Sequence, residues 1–290
     1  GGSYKFYPVW SPNSKLILLA DRGQDLYYID ITTGAKTIIT HSDNREFTDY
    51  TWAPDSKWIA YTEPGKARRF DVIKLYNIES KKSIAVTDDW YNSGRSVFSS
   101  DGKLLYFVSE RDFNPVYSNT EWNHAYIDMS KPYMVTLAAG TTSPFQLEND
   151  EVAIKEDSSD TGKTIAKKNK EKTQKKTGLT DRIESLPVAP GNYYNLTATN
   201  EGLYYVAASY RTPGHLKFFD LKDKKETETG DINSYSISNN QKKIIFKKGD
   251  DFFIEDVSKI KIEAKNKLNL SGLKINTDLH AEWKQIFDES

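Results

Sequence analysis

A hairpin that recurs along the chain constrains the fold more than any other feature. Pro8-Val9-Trp10-Ser11-Pro12-Asn13-Ser14-Lys15-Leu16-Ile17 returns as Tyr50-Thr51-Trp52-Ala53-Pro54-Asp55-Ser56-Lys57-Trp58-Ile59, and again as Ser96-Val97-Phe98-Ser99-Ser100-Asp101-Gly102-Lys103-Leu104-Leu105. Each copy runs aromatic, small residue, turn, Lys, then an apolar stretch. Pro12 to Pro54 is 42 residues and Pro54 to Ser100 is 46. Units of roughly 40–50 residues that repeat this way cannot bury their own faces and must stack on one another. Weaker copies follow at Tyr194–Val206 and Ser234–Phe246.

Each unit reads as four strands. The first ends at the aromatic, and the second is the apolar run after the Lys. The third is a Tyr/Asp segment: 25–30, 72–77, Ala125-Tyr126-Ile127-Asp128, 216–220 and 251–255. The fourth follows a polar turn such as Thr32-Thr33-Gly34. Short alternating runs punctuated by Gly, Asn, Asp and Ser are antiparallel strands joined by hairpins. The expected fold is an all-β propeller of four-stranded antiparallel blades over 4–276. Five blades are visible.

The repeat breaks once. Ser100 and Asn200 are 100 residues apart, about two periods, yet only one unit's strands are evident between them. The stretch 148–178 carries Lys163, Lys167, Lys168, Lys170, Lys172, Lys175 and Lys176. Such a segment cannot bury a core and reads as a surface insertion. The fourth strand of that blade is expected to resume at 181–188. At the other end, Leu279, Trp283, Ile286 and Phe287 fall at helical spacing. That helix, over 277–290, is expected to open a following domain that is cut short. Gly1-Gly2-Ser3 reads as a cloning remnant.

Composition narrows the function. A net charge of −1 gives no excess of cations to displace counterions from nucleic acid. No cysteine is present, so disulfides and thiolate-bound zinc are ruled out. No run of about 18 apolar residues exists, so no membrane-spanning helix is expected. His41, His124, His215 and His280 stand apart, without the spacing of a metal site, and no Gly-x-Ser-x-Gly elbow is present. No metal, cofactor or catalytic residue is expected within these residues. The localisation is open between periplasm, secretion and cytoplasm.

The loops between second and third strands are chemically richer. They carry Arg22, then Arg68 and Arg69, then Arg111, then Arg211. Blades are rotated copies, so these loops emerge on one face. Guanidinium groups there could fork onto peptide carboxylates. The plainer reading, salt bridging between neighbouring blades, is favoured because exposed ion pairs are common. Trp90, Tyr91 and Tyr193 lie in the loops joining blades and are candidates to line a peptide path, with core or rim packing as the plainer role.

Three segments go beyond the repeat. Pro132-Tyr133-Met134-Val135-Thr136-Leu137 through Ser143-Pro144-Phe145, and Asp181-Arg182-Ile183 through Pro190-Gly191-Asn192-Tyr193, resemble the propeller region of tricorn-type serine peptidases, and Ala281-Glu282-Trp283-Lys284-Gln285-Ile286-Phe287-Asp288-Glu289 resembles the entry into that family's first catalytic subdomain. The shared hairpin turn also resembles TolB-like and WD40-like propellers. The tricorn resemblance implies a non-catalytic domain that gates or guides peptides or unfolded polypeptide toward a downstream protease core. It also implies a seven-bladed ring, of which the five visible blades are a truncated or open part, a PDZ domain in the parent and the option of a homo-oligomer. A TolB-like or WD40-like interaction scaffold, with no peptidase partner domain, is the alternative. A propeller glycosidase is weaker, because the carboxylates are spread among turns.

Overall fold

The computed structural model describes residues 4–65, 70–112, 116–117, 124–125, 127–146, 178–232, 234–258, 261–274 and 276–290. Arg68, Arg69 and nearly all of the lysine-rich stretch lie outside them. The chain divides into two compact units, one essentially 1–233 and the other formed by 234–258 and 262–290.

The first unit holds four antiparallel blades. Blade one is β1 (Lys5–Trp10), β2 (Leu16–Asp21), β3 (Asp25–Asp30) and β4 (Lys36–His41), hydrogen-bonded in that order. Blade two repeats the order with β5 (Tyr50–Trp52), β6 (Trp58–Pro64), β7 (Asp71–Asn77) and β8 (Lys82–Ala85). Blade three opens with β9 (Ser93–Phe98) and β10 (Leu104–Ser109), then departs from the sequence reading. The segment at Ala125 forms no third strand. β11 (Val116–Tyr117) and β12 (His124–Ala125) pair only with each other, as a separate ribbon. The third strand is β13 (Lys131–Thr136), followed by β14 (Ile183–Ser185) as the fourth. The physical reason is burial: β13 pairs with all six residues of β10 and buries Tyr133, Met134 and Val135. Blade four is β15 (Asn192–Ala198), β16 (Gly202–Ala208), β17 (His215–Asp220) and β18 (Lys225–Gly230).

Alternation across each strand glues the blades together. Leu105 and Phe107 of β10 pack into the cluster shared with blade two, beside Ala60, Ile73 and Val135. Leu104, Tyr106 and Val108 of the same strand face blade four, beside Leu203, Tyr205 and Phe219. Successive side chains point to opposite faces, so a strand clad on both sides reads as a continuous apolar run.

The recurrent turn is a hydrogen-bond device. Ser99 Oγ donates to Asp101 Oδ1 at 2.7 Å, Lys103 N donates to Asp101 Oδ1 at 3.1 Å and Leu104 N donates to Ser99 Oγ at 2.9 Å. Ser11 with Asn13, and Ser238 with Asn240, repeat the pattern. Burial alone would raise the Asp101 carboxyl, but the Ser99 hydroxyl and Lys103 amide outweigh it and hold it below its usual range. The next residue is left-handed in each case: Ser14 at φ 57°, Ser56 at 61°, Gly102 at 69° and Gln241 at 57°. A Gly102→Ala variant is therefore expected to lose about 1 kcal/mol, read as a lower urea midpoint at unchanged m. Blade four lacks the device and turns more tightly, with Thr199 N donating to Gly202 O at 2.8 Å.

The second unit carries the fifth blade: β19 (Tyr235–Ile237), β20 (Lys243–Lys248) and β21 (Asp251–Asp256). Among the described residues its fourth position is reduced to one bridge, Phe253 with Lys267. Leu268 N donates to Phe252 O at 2.8 Å alongside it. The helix α1 (Leu279–Glu289) follows, its amide ends capped by the Asp278 side chain, which accepts from His280 N and Ala281 N. Leu279, Trp283, Ile286 and Phe287 are all exposed along it.

Candidate functional site: a polar mouth at the innermost strands

The innermost strands converge on a concavity of about 410 Å³ in the first unit. Asp49 at the entry to β5, Ser93, Gly94 and Arg95 of β9, and Asn192 to Tyr194 of β15 line it. Arg45, Glu46, Asp71 and Glu110 add charge of both signs.

A repeated irregularity shapes this mouth. β1, β9 and β15 each slip register against their partner strand, between Phe6 and Val9, at Gly94–Val97, and between Tyr194 and Thr197. In each slip one non-glycine residue is left-handed: Tyr7 at φ 46°, Arg95 at 56° and Asn195 at 53°. All three stand three positions before the strand end marked by Trp10, Phe98 and Ala198. Such bulges bend a strand and re-aim a side chain. They also leave backbone groups without a ladder partner, which neighbouring blades supply.

Those links run blade to blade. Tyr50 Oη bonds Phe6 O at 2.8 Å and Tyr7 O at 3.0 Å, and accepts from Ala20 N at 3.2 Å. Burial pushes its phenol up to about 12. The Asp49 carboxylate accepts from Arg95 N at 2.5 Å and from the Thr62 hydroxyl. Burial pushes the Asp49 carboxyl up, against the lowering effect of Thr62 and of the Arg95 and Ser96 amides. Arg95 in turn donates through Nη1 to Tyr193 O in β15. Arg45 pairs with Asp71 at the rim.

Of the described residues singled out in sequence, Tyr193 alone is among those that line this mouth. Arg22 is exposed in the β2–β3 turn, where its amide donates to Tyr4 O at 2.9 Å. Arg111 donates through Nε to Ser109 Oγ at 3.2 Å, lies 3.8 Å from Asp88 and sits 5.6 Å from the Tyr91 ring centre. That arrangement holds the second-to-third-strand loop of blade three against the connection from blade two. Arg211 is exposed. Trp90 and Tyr91 are exposed at 59% and 43%. Tyr193 lines the concavity, but its ring is buried edge-on to Tyr205 and its hydroxyl donates to Ala189 O. Arg68 and Arg69 lie outside the described residues.

Asp49, Arg45 and Arg95 were missed. Counting back three from Trp10, Trp52, Phe98 and Ala198 reaches Tyr7, Asp49, Arg95 and Asn195, four residue types with no shared signature. Bulge geometry makes Tyr7, Arg95 and Asn195 equivalent, and Asp49 holds the same position at the entry to β5, which pairs without a bulge.

No group of three His, Asp or Glu side chains among the described residues is placed to hold a metal ion. His41 bonds Asp25 at 3.0 Å, His215 faces Glu228 and Asp231, and His280 meets Trp283 edge to face. No helix among the described residues is long and apolar enough to cross a membrane.

The model of the tricorn protease second beta propeller domain matches residues 1–258. The chain belongs to the tricorn second propeller family. A Tricorn-like protease C-terminal subunit from Sulfurisphaera tokodaii is 29% identical over 294 residues, covering 97% of this chain and 32% of that protein. The tricorn protease of Thermoplasma acidophilum is 24% identical over 297 residues, covering 96% of this chain and 26% of that protein. The chain thus spans a third or less of the length of these relatives. The crystal structure of the tricorn protease superposes with a TM-score of 0.79 at 22% identity, over 98% of this chain and 28% of that one, and shares its fold. TolB from Acinetobacter baumannii is a more distant fold neighbour, with a TM-score of 0.54 at 14% identity over 89% of this chain and 52% of that one. A tricorn second propeller is a propeller domain of a tricorn-like protease, which supports a non-catalytic role for these residues.

Proposed function

We propose that this domain guides extended peptide to a protease core elsewhere in its parent, without chemistry of its own. The observation that carries the reading is the lining of the mouth. β9 and β15 are edge strands of their sheets, each paired on one side only. An extended peptide adds to such an edge through main-chain hydrogen bonds, which recognise any sequence. Arg45 and Arg95 in the lining, and Arg22, Arg111 and Arg211 on the second-to-third-strand loops, would attract peptide carboxylates, while Trp90 and Tyr91 would offer flat apolar contact. In the parent, a PDZ domain and self-association would complete the assembly, and α1 would turn its apolar face toward the core.

The purified chain is expected to bind an unstructured, acidic, fluorescein-labelled peptide and leave it uncut over hours, by anisotropy and mass spectrometry. Arg45→Ala removes a cation beside Asp71, Glu46 and Glu110, so binding is expected to weaken about threefold or more, and less so at high salt. Cleavage of the peptide, or binding indifferent to both Arg45 and salt, would contradict the reading.

A further inference from the structure

A second cavity lies in the groove between blades two and three, at the end where the β5–β6 and β9–β10 turns sit. It measures about 400 Å³, within the roughly 300–1,000 Å³ range of small-molecule sites. Trp58, Leu75, Ile84, Phe98, Leu137 and Leu179 give it apolar walls that continue the core between these blades. Among the described residues, Arg182 is the one cation in the lining.

Arg182 closes the short turn Thr180–Arg182 that leads into β14, and it is only 9% exposed. Its Nε donates to Gly178 O at 3.1 Å. Its Nη1 is fully buried and has no acceptor among the described residues. A guanidinium carries five donors, and leaving a charged group buried without acceptors is costly. The two carboxylates in the lining are committed elsewhere. Asp55 accepts from Lys57 N at 2.8 Å, and Asp101 closes its own turn and pairs with Lys103 Nζ at 3.1 Å.

We propose that this cleft binds a small monocarboxylic acid with an apolar body, its carboxylate on the Arg182 guanidinium and its alkyl or aryl portion along Trp58, Ile84 and Leu137. A carboxylate matches the planar fork of a guanidinium. The apolar walls select the rest of the molecule. Asp55 and Asp101 at the same site disfavour a phosphate or any polyanion, since a single cation faces them. The site is independent of the peptide-guiding reading, because it lies in a different groove and involves none of the mouth residues.

Decanoate is the probe, titrated calorimetrically into the whole chain, with decanamide as the uncharged control. Saturable binding of decanoate is expected, weakened about tenfold or more for decanamide and for Arg182→Gln, as loss of a charge-assisted bond implies. Arg182→Gln is also a folding risk, so Ile84→Glu provides a second test. Ile84 is 44% exposed in β8, and a carboxylate there repels the ligand without disturbing the core. Its melting temperature should be unchanged and its decanoate affinity lower by about tenfold. Equal binding of decanamide, undiminished binding by Ile84→Glu, or amide shifts confined to residues away from Leu137 and Leu179 would overturn the proposal. Preference for a peptide ending in an apolar residue over decanoate would also overturn it, by assigning the cleft to a different ligand.

Discussion

Truncating Phe107 to alanine is expected to cost about 3–5 kcal/mol, the largest single-residue effect foreseen in this domain. The ring is wholly buried in β10 and stacked on Tyr133, with centroids 5.9 Å apart and planes 20° apart. It belongs to the cluster that joins blade three to blade two, where Ile73, Val86 and Val135 are also inaccessible to solvent. A cavity there has little room to collapse, because a β-sheet backs it on either side. Chemical denaturation should show a much lower midpoint. Phe107→Leu, which keeps most of the volume, should recover the greater part of the loss. A Phe107→Ala loss below about 1 kcal/mol would mean that blades two and three are not held by this cluster.

Asp49→Ala is expected to be the next largest, at about 2–3 kcal/mol. It strips the acceptor from the Arg95 amide and the Thr62 hydroxyl, which face the bulge of β9. Asp49→Asn keeps an oxygen in place and should cost less than half as much. The pH dependence separates charge from geometry. The Asp49 carboxyl is raised in the folded state, chiefly by burial. Its contribution is therefore fully present below the unfolded carboxyl value of about 3.9 and is lost as pH rises through the raised folded value. Relative to Asp49→Asn, the parent chain should gain stability as pH is lowered through that range. An opposite trend would mean that Asp49 is held charged by its partners.

The architecture was legible because its signal is local and repeated. The Ser-Pro-Asn-Ser-Lys type of turn needs only side chains two to five residues apart, as the bonds of Ser99 and Asp101 illustrate. The two-sided burial of β10 was likewise visible as the run Leu104 to Val108. The third strand of blade three was misplaced because Ala125-Tyr126-Ile127-Asp128 copies the Tyr/Asp pattern of its equivalents. What decides between that segment and Lys131–Thr136 is pairing with β10 and burial between blades, and neither is local. The mouth was only half legible. The loop arginines could be counted from the repeat, but Arg22, Arg111 and Arg211 are not among the residues that line the mouth. Asp49 and Arg95 act through partners 46 and 98 residues away in sequence, at a backbone irregularity that leaves no composition signal.

Backbone amide exchange of the purified chain, with and without an extended unstructured peptide, tests the peptide-guiding role most directly. The account predicts added protection at the amides of Ser93–Val97 and Asn192–Thr197, the innermost strands that line the mouth, with the peptide recovered intact. Protection confined to the outermost strands β4, β8 and β18, or recovery of cleaved peptide, would contradict it.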